Sequence, residues 1–421
     1  MKKLYVYADF DWLNEIELIG ELGYESLRGS DSYCFTFSDD WLKKHGDLFL
    51  SDNLNNYPGQ QYTQPGKDIF GCFSDALPDR WGRTLLLRRE QLAAMEEKRP
   101  VRRLSSFDFL TGIDDFSRMG AFRFKENPDG DFINVSESLK IPPLTDIREL
   151  IAASAEIERS EEDNVLPDRK WIVQLVQPGS SLGGARPKAS VIDTDKTLYV
   201  AKFPSRKDDY DAGLWEHFSH LLAAKAGINA AKTKVIATGE KYHTLLSERF
   251  DRTKDGKRIH FASAMTLLGL NDGDNATTGY GYLEIVDFII QNCTDVDRNL
   301  QELYRRVAFN ICIGNSDDHF RNHGFLLTVK GWTLSPAYDM NPTLNEYQSL
   351  LISATSNKAD LGILLDACVH YMLNRKTVEH IVSEVINVVK GWRGLAVRLG
   401  ISKREMDMFR GVLDERCKMN F

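Results

Sequence analysis

The stretch 310–342 constrains this chain most, because an apolar helical pattern breaks there at a glycine into a dense run of Asp, Asn, Ser and His. Leu303, Val307 and Ile311 recur at helical spacing, and Gly314 follows as a helix stop. Residues 325–329 and 332–335 then read as two strands around the two-residue turn Lys330-Gly331. Pairing Val329 with Trp332 fixes a register in which Asn322 falls opposite Asp339, although Pro336 stands where the ladder could bend. An amide oxygen and a carboxylate would then converge. Ordinary turn chemistry uses the same residue types, so the segment does not speak alone.

Further upstream, residues 178–188 form a Gly- and Ser-rich stretch holding Gly179, Ser180, Ser181, Gly183 and Gly184. Glycines let a backbone approach a polyphosphate closely, and loop amides can donate to its oxygens. The Walker A spacing is absent, and a surface hairpin loop would read the same way. In the following strand, 197–204, a period of two sets Lys202 on the face of Leu198 and Val200. A lysine on an apolar face wants an anion, yet an edge-strand lysine that blunts aggregation is the competing explanation. Glu216, on the next helical pattern, lies about 200° round the wheel from Leu214, which predicts a solvated glutamate rather than a partner for that lysine.

Taken together these pieces stand in kinase order. The Gly-rich loop, strand lysine, Asp317 five residues before Asn322, hairpin and closing Asp339 follow one another across residues 179–339. In that arrangement Asp317 orients an acceptor hydroxyl and takes its proton. Asn322 and Asp339 suit magnesium on a nucleoside triphosphate, an ion that keeps several waters and takes one or two protein carboxylates. Asp318 is read as a turn or capping residue, and His319 and His323 as candidates for loop packing.

The length of 421 residues suggests two or three units. Turn clusters place a strand-rich region at 1–140, a mixed region at 141–252 and a mainly helical one at 253–421. With 53 basic against 61 acidic residues the net charge is −8, which disfavours broad contact with a nucleic-acid backbone. The basic stretch carrying Lys390, Arg393, Arg398, Lys403, Arg404 and Arg410 reads as a solvated helix face. Six cysteines without a CxxC pair read as reduced core residues. Asp9 and Asp11 end the first apolar run before a signal peptide could form, and no run is long enough to span a bilayer, so a cytoplasmic protein without membrane contact is expected.

Several segments resemble the HipA family of toxin kinases. Residues 181–188 are similar to its Gly-rich loop, 248–252 (Glu248, Arg249, Phe250, Asp251, Arg252) to its hinge segment, 317–322 to its catalytic loop and 336–339 to its metal-binding turn. Residues 73–79 and 119–121 are similar to parts of its N-terminal domain. The resemblance implies an α+β, two-lobed protein-kinase-like fold akin to phosphoinositide kinases, with an extra strand-rich N-terminal domain and a mainly helical C-terminal lobe. It implies ATP and Mg2+ as cofactors, Lys202 on the phosphates with Ser181, Gly183 and Gly184 of the loop, and backbone groups of Glu248 and Phe250 at the adenine. Asp317 would be catalytic and Asn322 and Asp339 the metal ligands. Ser181 would be the autophosphorylated serine, with Ser180 beside it as the alternative. A HipB-like helix-turn-helix antitoxin is the implied partner, an aminoacyl-tRNA synthetase the implied acceptor, and DNA is met only through the antitoxin. The alternatives are a nucleotide-binding corepressor scaffold and a small-molecule or lipid kinase on the same fold.

Overall fold

The computed structural model describes residues 1–27, 30–64, 67–135, 141–176, 184, 186–239 and 241–418. Its contacts divide the chain into two units, residues 1–207 with 248–262, and residues 208–247 with 263–421.

The first unit opens with a meander whose alternating side chains explain its sheet. In β1 (Lys2–Ala8), Leu4, Val6 and Ala8 are fully buried while their neighbours face outward. β2 (Glu17–Leu27), β3 (Ser30–Phe37), β4 (Gln60–Tyr62) and β5 (Phe122–Lys125) join it in an antiparallel sheet of order β4-β3-β2-β1-β5. Short α1 (Asp39–His45), α2 (Arg80–Glu96) and α3 (Ser106–Gly112) accompany the sheet. Phe35, Phe70, Phe73, Phe122 and Phe124 fill its core. Helix α3 starts at a capping box in which Ser105 and Asp108 satisfy each other's backbone N–H groups. Arg118 is wholly buried, donating to the carbonyls of Ala76 and Leu110 at 3.0 Å each, with its guanidinium 4.9 Å from the Phe124 ring. Beyond the meander come α4 (Ile147–Glu162), α5 (Arg169–Val176) and the antiparallel hairpin of β6 (Lys188–Ile192) and β7 (Leu198–Lys202). Leu198 to Ala201 are all buried, so both faces of β7 are covered and alternation there carries no signal.

The second unit is mainly helical. It contains α6 (Ala212–Lys225), the hairpin of β8 (Thr233–Ile236) and β9 (Thr244–Glu248), and the end of β10 (His260–Ser263). α7 (Ala264–Leu267), α8 (Tyr282–Asn292) and α9 (Val296–Ile313) follow, then the hairpin of β11 (Gly324–Thr328) and β12 (Gly331–Leu334). The chain continues through α10 (Leu361–Asp366), α11 (Arg375–Lys390), α12 (Trp392–Arg398) and α13 (Lys403–Glu415). Leu303, Tyr304 and Val307 of α9 are fully buried, as are Val378, Val382 and Val385 of α11, and these two helices pack on each other. Gly314 ends α9 in the left-handed region at φ 76°. A Cβ there would lie 2.4 Å from Val412 and 2.8 Å from the Thr343 carbonyl, so only glycine fits.

Two expectations are corrected. Glu216 is 4% exposed, because α6 is buried from Gly213 through His220 on every side and the wheel argument assumed one solvated face. The β11–β12 turn is Val329-Lys330, one residue earlier than expected, with Thr328 opposite Gly331 and Leu327 opposite Trp332. The cause is local: Lys330 N donates to Thr328 Oγ1 at 3.2 Å and that hydroxyl donates to Gly331 O at 2.8 Å, so the threonine side chain starts the reversal. Gly331, at φ 123°, accepts the geometry and Val329 is left exposed at the tip.

Candidate active site

The revised register changes how the acidic loop is closed. The last ladder bond runs from Ser335 N to Gly324 O at 2.8 Å, which would set Asn322 opposite Ala337 rather than Asp339. Asp339 is brought in another way. Tyr338 donates its hydroxyl to the Arg321 carbonyl at 2.5 Å, which ties the turn before Asp339 to the residue before Asn322. Asp339 itself sits in the left-handed region at φ 57°, a conformation few side chains adopt but Asp tolerates. Asn341 Nδ2 donates to its Oδ1 at 3.3 Å.

The loop is carried on α9 and held by a buried polar hub. Asp318, 3% exposed, receives three donors on one carboxylate oxygen: the Tyr282 hydroxyl at 2.6 Å, Asn310 Nδ2 at 2.8 Å and His323 Nε2 at 2.8 Å. Asn315 Nδ2 donates to Asn310 Oδ1 at 3.1 Å and extends the network along the helix end. Burial pushes the Asp318 carboxyl up, but the charge and hydrogen bond of His323 and the bond from Tyr282 outweigh it and hold it below the usual carboxylate range. Asp318 therefore fixes the loop and is neither a turn nor a capping residue.

Its neighbour is the opposite case. Asp317 is exposed, and Asn322 Nδ2 donates to its backbone carbonyl at 3.3 Å, an orientation that leaves the Asn322 Oδ1 to accept a ligand. The surrounding protein raises the Asp317 carboxyl, His319 pulls it down, and the charges of Asp339 and Asp318 raise it again; the net direction is upward. Three carboxylates, Asp317, Asp318 and Asp339, thus lie near one another, and Asp318 is the one met by three protein donors on a single oxygen. Asp317, Asn322 and Asp339 are brought together. Among the described residues no group of three or more His, Cys, Asp or Glu side chains is arranged to hold a metal by itself. One carboxylate, one amide oxygen and an excess of negative charge fit magnesium shared with a triphosphate, and do not fit a protein-caged ion.

The remaining expected residues belong to the first unit. Lys202 is half-buried and ends β7, directly opposite Lys188. Gly184 lies at φ 85°, close to the Lys188 ammonium. Glu248 and Phe250 flank Arg249, whose N donates to the Leu198 carbonyl at 2.9 Å, so this segment runs beside β7. Ser180, Ser181 and Gly183 lie outside the described residues.

The same segment holds an ion cluster that sequence reasoning did not find. Asp251, wholly buried, accepts from Arg249 at 2.8 and 2.6 Å, from Arg252 at 2.6 Å and from the Gly120 N–H at 2.9 Å. Arg249 also donates to the carbonyls of Ser117 and Arg118, and Arg252 to those of Phe116 and Arg118. Burial opposes ionisation of Asp251, but Arg249 and Arg252 overcome it and hold the carboxyl far below its ordinary value. The charge pattern Arg-x-Asp-Arg was the available signal; its partner loop, 131 and 132 residues away in sequence, was not readable.

The family model described as HipA-like C-terminal domain matches residues 180–392, and that described as HipA N-terminal domain matches residues 12–108. A serine/threonine-protein kinase toxin HipA of Shewanella oneidensis is 24% identical over 349 residues, covering 77% of this chain and 72% of that protein. A putative kinase of Haemophilus influenzae is 25% identical over 181 residues, a match that spans 52% of its length and 39% of this chain. Among solved structures, a chain of the Shewanella oneidensis MR-1 HipA, HipB and operator DNA complex superposes with a TM-score of 0.66 at 16% identity, covering 99% of this chain and 96% of that one. That likeness shows the same α+β fold, including the antiparallel N-terminal sheet.

Proposed function

This chain belongs to the HipA family, and we propose from that premise that it is the toxin of a toxin–antitoxin pair, transferring the γ-phosphoryl group of ATP to protein serine or threonine. It is a serine/threonine kinase. The observation that carries the reading is the contrast within one loop: Asp318 locked by three donors, and Asp317 beside it exposed, raised in pKa and free of such donors among those described.

In this reading Asp317 accepts the proton of the acceptor hydroxyl as its oxygen bonds to the γ-phosphorus and the bond to the bridging oxygen breaks, releasing ADP. A raised carboxylate is a better proton acceptor than an ordinary one. Asn322 and Asp339 would hold magnesium, which supplies charge neutralisation on the phosphates. Lys202 with Gly184 and the neighbouring Ser181 and Gly183 would meet the phosphates, and backbone groups of Glu248 and Phe250 the adenine. Autophosphorylation on Ser181 or Ser180 would move a dianionic group into that same segment and shut it.

The acceptor we propose is an aminoacyl-tRNA synthetase, and the partner a HipB-like helix-turn-helix antitoxin through which alone the chain meets DNA. The net charge of −8 supports that indirect role. The six free cysteines agree with a reducing cytoplasm, and among the described residues no helix is long and apolar enough to cross a membrane. Incubation of the purified chain with labelled ATP, magnesium and a synthetase panel is expected to label a synthetase and a loop serine. Binding of ATP without transfer to any protein would instead establish a corepressor scaffold, and transfer only to small molecules or lipids a different kinase.

A further inference from the structure

Lys188 opens β6 just after the Gly-rich segment and stands directly opposite Lys202 in the β6–β7 ladder. Opposed residues of an antiparallel pair point to one face, so two ammonium groups share one side of this hairpin. Like charges so placed repel unless an anion stands close. Asp79 supplies one: its Oδ2 accepts from Lys188 Nζ at 3.0 Å, and both side chains are only 2% exposed. The other carboxylate oxygen, Oδ1, accepts from Gly82 N at 2.7 Å and caps α2. Helix and lysine thus fix the carboxylate from two directions. Against the ammonium lies Gly184, where a Cβ would come within 3.2 Å of Nζ. A buried ion pair is seldom the most stabilising way to fill a space, so its occurrence here calls for a positional reason.

We infer that Asp79 and Lys188 form a strut that fixes the start of β6 and the Lys188 ammonium beside Gly184, making both of them positioning residues for the phosphates that Lys202 meets. The inference rests on the kinase reading above. It makes the start of α2, in the N-terminal part of the chain, a working component of the phosphate subsite. Lys188 stands against Gly184, while Asp79 holds Lys188 and keeps its charge tolerable in a buried place.

The test is titration of the full-length chain with ATP and magnesium by calorimetry, alongside transfer rates as a function of ATP. Asp79→Asn keeps an equally good N-cap, so it removes the ion pair while sparing the helix start. Asp79→Asn and Lys188→Met are each expected to weaken ATP about ten- to a hundredfold, with a larger effect on KM than on kcat, and Asp79→Glu to recover most of the loss. The neutral double variant Asp79→Asn, Lys188→Met buries no charge and stands in for a single variant that fails to fold. ATP affinity equal to wild type in the folded variants would overturn the inference and reduce the pair to a structural one. Tighter ATP binding by Asp79→Asn would also overturn it, since the carboxylate would then compete with phosphate for the lysine. Failure of the wild type to bind ATP would bring down the kinase reading itself, and the strut with it.

Discussion

Asp251 and Asp317 are both aspartates in charged surroundings, and the chain treats them oppositely. Asp251 is wholly buried with two arginines and a backbone N–H directed at it, so its ionised form is favoured. Asp317 lies at the surface, yet desolvation by the protein around it, and then the charges of Asp339 and Asp318, disfavour its ionised form. A carboxylate whose charge is fully answered by protein donors holds structure together. One whose charge is left partly unanswered is available for a proton or a cation.

This contrast can be broken by experiment. Asp317→Asn should reduce phosphoryl transfer by about 10²–10⁴-fold in a single-turnover assay, yet leave the thermal midpoint unchanged or higher, because an ion disfavoured in the fold is removed. A lowered midpoint would make Asp317 structural after all. Asp251→Asn should do the reverse, costing about 3–5 kcal/mol in urea denaturation by leaving Arg249 and Arg252 buried without their counter-charge. Stability close to wild type would dissolve the distinction.

Acid sharpens it further. The Asp318 carboxyl is depressed in the fold, so its stabilisation is present above the ordinary carboxylate value and disappears as pH falls through the lower folded value. Asp317 is raised, so protonating it relieves a penalty as pH falls. The stability gap between wild type and Asp318→Asn should therefore narrow below about pH 4, measured by denaturation at stepped pH. Because the Asp339 charge contributes to raising Asp317, Asp339→Asn should lower the Asp317 titration midpoint, read from its side-chain carbon resonance. The smallest effect belongs to exposed pairs such as Arg375 with Glu379, where Glu379→Ala should give a denaturation curve indistinguishable from wild type.

The layout of the 314–322 segment was legible in the sequence because it is local. Gly314 stops a helix, Asp317 and Asn322 lie on one short loop, and their relation depends on few distant residues. The hairpin after it was legible in kind but not in register, since a threonine hydroxyl moved the turn by one residue and the closure to Asp339 passed to the Tyr338 hydroxyl. Glu216 was misread because periodicity describes a helix with one wet side, and α6 has none from Gly213 through His220. Partners far apart in sequence left no pattern to read: Tyr282 for Asp318, Gly120 for Asp251 and Lys188 for Asp79.

Adjacent placement of Asp317 and Asp318 separates two inheritances along a single peptide bond. On the proposed reading a substitution at the first would silence phosphoryl transfer and leave the three-donor hub at the second intact. Such a descendant would keep its shape, and with it every surface a partner recognises. A poison could in this way be retired into a quiet companion protein by one codon change, with no intermediate that misfolds.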